Sequence, residues 1–506
     1  MSTTVSRIFS AQPSLMSADI VTIETDLSRG LFSLAIVGLP GKAVEEARDR
    51  ISSAIKHAGF TSPKGENHKV VISLAPADLK KEGPLFDLPM AIAYLVAAGA
   101  IVADVSKTIF IGELALDGEL RPVRGALPIA RKAAAAGFTE IIVPRENAEE
   151  AALIHDIRVL PARSLQEVVA HLDTARDDHA LITPMPATQI EGLWSESSVR
   201  LEDIRGQESA KRGLMIAAAG RHNVIMAGPP GTGKTMLARA LQGILPPLSL
   251  TAALDVTSIH SIAGTGHGLS LRPPFRSPHH TASYTALVGG GTNPRPGEVT
   301  LAHHGVLFLD ELPEFERRAL DALRQPLEDR VVSIARVSGS AIFPANFILI
   351  AALNPTRGTG DAGDYTQQML ETYKHKISGP ILDRIDLWLP VPHINYDTLT
   401  EKRTATTDET GAAREKIINA RARQALRFAG RGIDTNGEMS ARDIEECIEL
   451  APAVRELLKQ SAQKLALSPR GYHRLVKVAR TIADLADVDT LTESHILEAL
   501  SYRTKM

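Results

Sequence analysis

The octapeptide Gly228-Pro229-Pro230-Gly231-Thr232-Gly233-Lys234-Thr235 constrains this chain more than any other stretch. It fits the template G-x-x-x-x-G-K-[ST] at every fixed position, after an apolar run (Val224 to Ala227) and before an amphipathic helix starting near Met236. Strand, glycine loop and helix in that order make a cradle for phosphate. The glycines let backbone N–H groups close around a β-phosphate, and the helix N-terminus adds a favourable dipole. In such a cradle Lys234 reaches the β/γ oxygens and Thr235 ligates Mg²⁺. The reading predicts nucleotide binding and hydrolysis.

A length of 506 residues exceeds what one core usually organises, so two to four domains are expected. A 44% hydrophobic and 23% charged composition is that of an ordinary globular protein. A net charge of −3 neither favours nor excludes nucleic acid, because binding depends on local charge. One cysteine, Cys447, excludes an intramolecular disulfide framework and a cysteine-based zinc site. No secretory signal is visible, and the apolar run Leu88 to Ala103, interrupted by Pro89, reads as a buried helix rather than a membrane span. A cytoplasmic protein without membrane association is expected.

The pattern divides into an α+β region at 1–172, a linker at 173–199, an α/β region at 200–395 and a helical region at 396–506. In the first region, β-like runs (Ser33 to Val37, Lys69 to Leu74, Thr108 to Ile111, Glu140 to Val143) mix with helical runs (Ala43 to Ala58, Pro128 to Ala136). In the third, Val306 to Leu309 and Phe347 to Ile350 read as parallel strands buried on both faces. The first of these runs into Asp310-Glu311, about 75 residues after the phosphate loop. Asp310 is placed to hold Mg²⁺ and Glu311 to polarise the attacking water. The next strand ends at Asn354, whose amide can orient the same water or simply cap a turn.

These elements resemble the AAA+ ATPases, and within them the magnesium-chelatase/MCM-like branch. The phosphate loop, the Leu309-Asp310-Glu311 acids and Asn354 match Walker A, Walker B and sensor 1 in order and spacing. The segment Ile377 to Leu387 resembles the branch's arginine-finger segment, which implies Arg384 as the finger; an internal salt bridge with Asp383 or Asp386 is the structural alternative. Arg470 in Ser468-Pro469-Arg470-Gly471-Tyr472 is implied as sensor 2 on a helical lid, with Arg474 as the fallback. Val288 to Gly297 resembles the helix-2 insert, and Arg330 to Ile342 alternates like the pre-sensor 1 hairpin. In related ring helicases such loops line the pore, which implies Arg336 and Arg295 as DNA contacts.

In the first region, Lys81 to Ala91 and Gly112 to Asn147 resemble a Lon-protease fold of the ribosomal-S5-like α+β kind, with Leu85 at the serine position and Leu127 at the lysine position. Neither side chain can act as nucleophile or base, so an active protease is not expected. Gly38-Leu39-Pro40-Gly41-Lys42-Ala43 is too short for a second phosphate loop and has Ala43 where a hydroxyl is needed. A degenerate Lon-like domain ahead of an AAA+ core and helical lid is similar to the ComM/YifB family, over nearly the whole chain. The resemblance implies a homo-hexameric, ATP- and Mg²⁺-dependent translocase. It would drive branch migration on single-stranded and branched duplex DNA in natural transformation, alongside recombination proteins. A protein-remodelling ATPase is the alternative. One departure is the absence of cysteines in the loop after Asn354, where the family commonly has a cluster.

Three clusters stay open on sequence. Arg272 to His280 either meets a nucleic-acid backbone or packs on the motor; His303-His304 reads as core; and Lys416, Arg421, Arg423, Arg427 and Arg431 face either DNA or solvent.

Overall fold

Strand β1 (Ser6–Ser14) turns a polar face into the core: Ser6, Ile8, Ser10 and Gln12 are all buried. Backbone acceptors make this tolerable, since Ser6 Oγ donates to Ala93 O (2.7 Å), Ser10 Oγ to Phe110 O (2.8 Å) and Gln12 Nε2 to Lys80 O (3.0 Å). Serine, glutamine and proline at these positions hide the strand from a hydrophobic pattern. The computed structural model describes residues 5–14, 17–65, 67–188, 194, 197–265, 269–290, 295–336, 339–354, 377–394 and 408–503, the side chains of 335, 336 and 339–341 excepted. The chain divides into two units, residues 1–191 with 257–269, and residues 192–256 with 270–506.

The first unit is built on β1, β2 (Ser17–Arg29), β3 (Ser33–Val37), β4 (His68–Ala75), β5 (Thr108–Phe110), a ribbon of β6 (Glu113–Leu114) and β7 (Leu120–Arg121), then β8 (Glu140–Pro144) and β9 (Arg158–Ala162). The main sheet runs β3-β4-β2-β1-β5-β8-β9, antiparallel at β1–β2 and β2–β4 and parallel elsewhere. Helix Asp87–Ala97 is buried nearly throughout, as expected of the apolar run. The expected helix Ala43 to Ala58 is broken into Lys42–Glu45 and Ala47–His57. Leu85 and Leu127 put apolar side chains in the core at the positions compared with a serine–lysine pair. Residues 173–188, expected as linker, lie along this unit, with Met185 N–H on Val159 O (2.9 Å) and Thr188 Oγ1 on Glu149 O (2.9 Å).

The second unit holds β10 (Val224–Ala227), β11 (Phe275–Arg276), β12 (Gly289–Gly290), β13 (Arg295–Pro296), β14 (Val306–Leu309), β15 (Val331–Arg336), β16 (Gly339–Pro344), β17 (Ile348–Leu353) and β18 (Leu387–Pro390). Five of them form an all-parallel sheet, β11-β14-β17-β10-β18. β14 and β17 are buried at every residue, as unbroken apolar strands between two layers should be. β15 and β16 pair antiparallel, Val331 opposite Pro344 through Arg336 opposite Gly339, which is the hairpin the alternation predicts. Residues 408–503 are helical without strands, and Ile417, Leu475 and Ile482 share one core with Leu214, Val224 and Ile350. Mixed α/β layers around a parallel sheet, with a helical C-terminal segment, are the fold class expected.

Candidate functional site

A parallel sheet has two chemically different edges. Segments leaving the strands gather at the carboxyl edge, and segments entering them gather at the amino edge. In the second unit the residues predicted to handle nucleotide divide between the two.

At the carboxyl edge, the loop from Gly228 to Gly233 joins β10 to helix Lys234–Ile244. Gly231 and Gly233 take φ of +80° and +90°, and a Cβ on either would meet nothing within 4 Å. They are glycine for their left-handed backbone, and the space beside them is open. Lys234 is buried and donates Nζ to Gly228 O and Pro229 O, both at 2.7 Å. Burial pushes its ammonium below the ordinary lysine value, with Asp310 opposing. Thr235 Oγ1 donates to Asp310 Oδ2 at 3.2 Å, so the helix start and the end of β14 share a contact. Glu311 follows with φ of +51°, a backbone that a glutamate adopts only under constraint, and its amide donates to Asp310 Oδ1 (2.9 Å). Asn354 follows β17, which lies between β14 and β10. The sheet order therefore brings the phosphate loop, the acid pair and Asn354 to one edge.

One further group reaches this edge. His280 Nδ1 lies 3.5 Å from Glu311 Oε2. Its segment follows β11, the parallel neighbour of β14, and Arg276 in that strand forms a bidentate pair with Glu298 (2.6 and 2.7 Å). Within the Arg272 to His280 cluster, Arg276 and His280 thus pack on the motor, while Arg272 and His279 are exposed. The sequence named His280 only as part of that cluster, because a two-residue strand flanked by prolines leaves no periodicity that would place it beside Glu311.

At the amino edge stand the residues that precede the strands: Arg221 and Asn223 before β10, Asn346 before β17, Arg384 and Asp386 before β18. Asn223 pins them together, accepting Asp386 N–H on its carbonyl (3.0 Å), donating Nδ2 to Arg384 O (3.1 Å) and accepting Leu349 N–H on Oδ1 (2.9 Å). Arg384 pairs with neither Asp383 nor Asp386. Its partners are Glu328 and Pro380 O (2.6 Å), and its side chain is 10% exposed. Asp386 instead accepts from Asn223 N–H (3.0 Å) and lies 3.7 Å from Arg474; despite a burial penalty, His222 and Arg474 hold its carboxyl well below the ordinary range. Arg470 also reaches Glu328, at 2.5 Å, with 59% of its side chain exposed, whereas Arg474 sits beneath it at 16%. A cavity of about 470 Å³ opens here, lined by Arg221, Glu328, Arg330, Arg384, Arg470 and Lys477. Burial pushes the Lys477 ammonium down to about 8, with Asp386 opposing.

The remaining candidates are scattered. Arg295 is exposed on the β12–β13 ribbon. Arg336 ends β15 at the hairpin turn, with its side chain outside the described residues, as is the cysteine-free loop at 355–376. On the basic helix Glu409–Arg427 and the turn after it, four arginines bond within the fold, while Lys416 is exposed. Arg421 is half-buried and donates to Ala218 O (2.7 Å), Arg427 forms a bidentate pair with Asp484, Arg423 meets Asp487 and Asp489, and Arg431 meets Glu446. His303 is buried and accepts Asn346 N–H at 3.0 Å, the core role expected.

A parallel sheet carrying a phosphate loop, a strand-end acid pair and a polar residue on the strand between them defines an AAA+ type P-loop ATPase. Residues 200–399 match the family described as magnesium chelatase, subunit ChlI; residues 23–147 match subunit ChlI of Mg-chelatase, and 407–503 its C-terminal part. The chain is 43% identical over 496 residues to competence protein ComM of Haemophilus influenzae, covering 96% of this chain and 95% of that protein. It is 43% identical to YifB of Salmonella typhimurium (96% and 95% covered) and 42% identical to YifB of Escherichia coli (96% and 95%). The chain belongs to the ComM/YifB family of magnesium-chelatase-like AAA+ ATPases. Membership supports an ATPase and implies dependence on ATP and Mg²⁺. The residues fit both: open space beside Gly231 and Gly233, a buried ammonium, and a hydroxyl–carboxylate pair of the hard oxygen donors that Mg²⁺ takes. Among the described residues no helix is long and apolar enough to cross a membrane.

Proposed function

We propose that the protein is an ATP-dependent DNA translocase, assembled as a homo-hexamer, that promotes branch migration of recombination intermediates. The observation that carries the reading is the division of the sheet. Lys234, Thr235, Asp310, Glu311 and Asn354 stand at one edge, Arg384 and Arg470 at the other. Four residues of strand rise roughly 13 Å, more than an arginine side chain spans. The two arginines therefore have no route to the nucleotide of their own chain, and a head-to-tail neighbour supplies them. Head-to-tail contacts that close make a ring.

Within each protomer Lys234 and the loop amides bind and orient the phosphates, Thr235 and Asp310 would hold Mg²⁺, and Glu311 accepts the proton of the attacking water while Asn354 orients it. When bound, Mg²⁺ supplies neutralising charge to the phosphate oxygens. Arg384 stabilises charge that develops on the transferred phosphoryl group. The β15–β16 hairpin, with Arg336 at its turn, supports a DNA-tracking role, because a phosphate contact needs only a cation on a projecting loop. The name of the Haemophilus relative, a competence protein, supports a place in natural transformation.

The test measures ATPase rate and strand displacement on linear, forked and four-way DNA in parallel. Branched DNA should raise both, and affinity should fall steeply with salt, with a slope shallower by about one in Arg336→Ala. A rate indifferent to every DNA but raised by a protein client would replace this reading with protein remodelling.

A further inference from the structure

Glu328 stands where three parts of the second unit meet. It lies near the end of helix Arg324–Asp329, whose cap, Arg330, takes a left-handed conformation and leads directly into β15. Gln325, one turn earlier, donates Nε2 to Ser333 Oγ (3.0 Å) and accepts Ser333 N–H on Oε1 (3.2 Å). This reciprocal pair ties the helix to the first strand of the hairpin, so the two shift together. From the same helix Glu328 gives one carboxylate oxygen to each of two cations, Oε2 to Arg384 and Oε1 to Arg470.

Two guanidinium groups brought this close repel each other, and a carboxylate between them removes the repulsion and fixes their orientation. The contact contributes little to stability, because Glu328 is 43% and Arg470 59% exposed and solvent screens the pair. Its value lies in geometry. Among the described residues Glu328 is the group that hydrogen-bonds both arginines, and its helix is tied to a strand of the hairpin.

We propose that Glu328 is the positioning residue of the arginine pair. Its carboxylate sets the spacing of Arg384 and Arg470, and the helix that carries it passes displacement of the β15–β16 hairpin on to both. The inference rests on the reading that these arginines act on nucleotide held by a neighbouring protomer. It adds a direction of coupling: DNA that moves one protomer's hairpin changes hydrolysis at the next protomer's phosphate loop.

The test uses the full chain in its assembled state, with ATP and with or without forked duplex DNA. Glu328→Gln should keep KM for ATP within about two-fold, since binding belongs to the phosphate loop, and lower kcat about ten-fold through loss of alignment. It should also bring the ratio of DNA-stimulated to basal turnover close to one, with an unchanged melting temperature. Glu328→Asp, which keeps the charge on a shorter arm, should fall between, and Gln325→Ala should lower the stimulation ratio. Wild-type kcat and stimulation in Glu328→Gln, beside lost turnover in Arg384→Ala and Arg470→Ala, overturns the positioning role and leaves the neighbour-supplied arginines standing. Wild-type turnover in Arg384→Ala and Arg470→Ala removes the reading beneath it. A melting temperature lowered by several degrees in both Glu328 variants, or a raised basal kcat in Glu328→Gln, also overturns the proposal.

Discussion

Lys234 and Glu311 sit within one loop-rich edge yet do separable work. Lys234 is a buried cation held between two carbonyls, ready to exchange them for phosphate oxygens. Replacing it with alanine should weaken ATP binding by about ten-fold or more, the scale of a charged hydrogen bond, in a fluorescent-nucleotide titration. The carboxylate of Glu311 stands half exposed beside His280. Glu311→Gln should therefore bind ATP as tightly as wild type while single-turnover hydrolysis falls ~10²–10⁴-fold. Arg384→Ala should likewise leave binding largely intact and lower turnover by ~10³-fold or more in assembled protein. The first two residues were legible because their chemistry is written in contiguous letters. Glu328 was not: a glutamate on a short helix has no local sign that two arginines from distant segments will converge on it.

At the scale of elements, the strands entering the sheet bury histidines where charge is unwelcome. Burial pushes His303 down to about 2 and His304 down to about 4, each from an ordinary value of 6.5. Both folded values lie below the unfolded one, so on acidification the unfolded chain takes up protons first. Their contribution to stability is complete above pH 6.5 and is lost as pH falls from there toward 4. For His304 alone the loss is on the order of 3 kcal/mol. Denaturant midpoints measured across that range should fall with acid in the wild type and less in His304→Asn, a residue that tolerates the φ of +59° found there. β14 and β17, with apolar continuity, and the hairpin, with its alternation, were readable in advance. β1 was not, because its core face is serine and glutamine satisfied by backbone oxygens. The basic helix was left open for the converse reason: its arginines read as a solvent or DNA face, but acids from other segments pair Arg423 and Arg427 in place.

For the whole molecule, the division of the sheet makes a prediction that no single variant can. Protomers with Lys234→Ala should hold nucleotide too weakly to turn it over at limiting ATP but still offer Arg384; protomers with Arg384→Ala should hold nucleotide but offer no finger. Each alone should be nearly silent. Mixed in equal amounts and allowed to exchange, they should regain about a quarter of wild-type turnover, since roughly one interface in four pairs an intact loop with an intact arginine. Silence in the mixture would mean that both residues act on a nucleotide from the same protomer. What the sequence could not convey here is which edge each residue occupies. That depends on strand order and direction, and β18 returns Arg384 to the amino edge only because it runs parallel to β10.

The pinning of Arg384 by Asn223 carries a genetic consequence. On the proposed reading, a protomer whose arginine is displaced should keep its own nucleotide chemistry and disable that of the copy beside it. Such an allele should be dominant: expressed from a second locus at a modest fraction of the normal amount, it should suppress the wild-type phenotype out of proportion to its abundance.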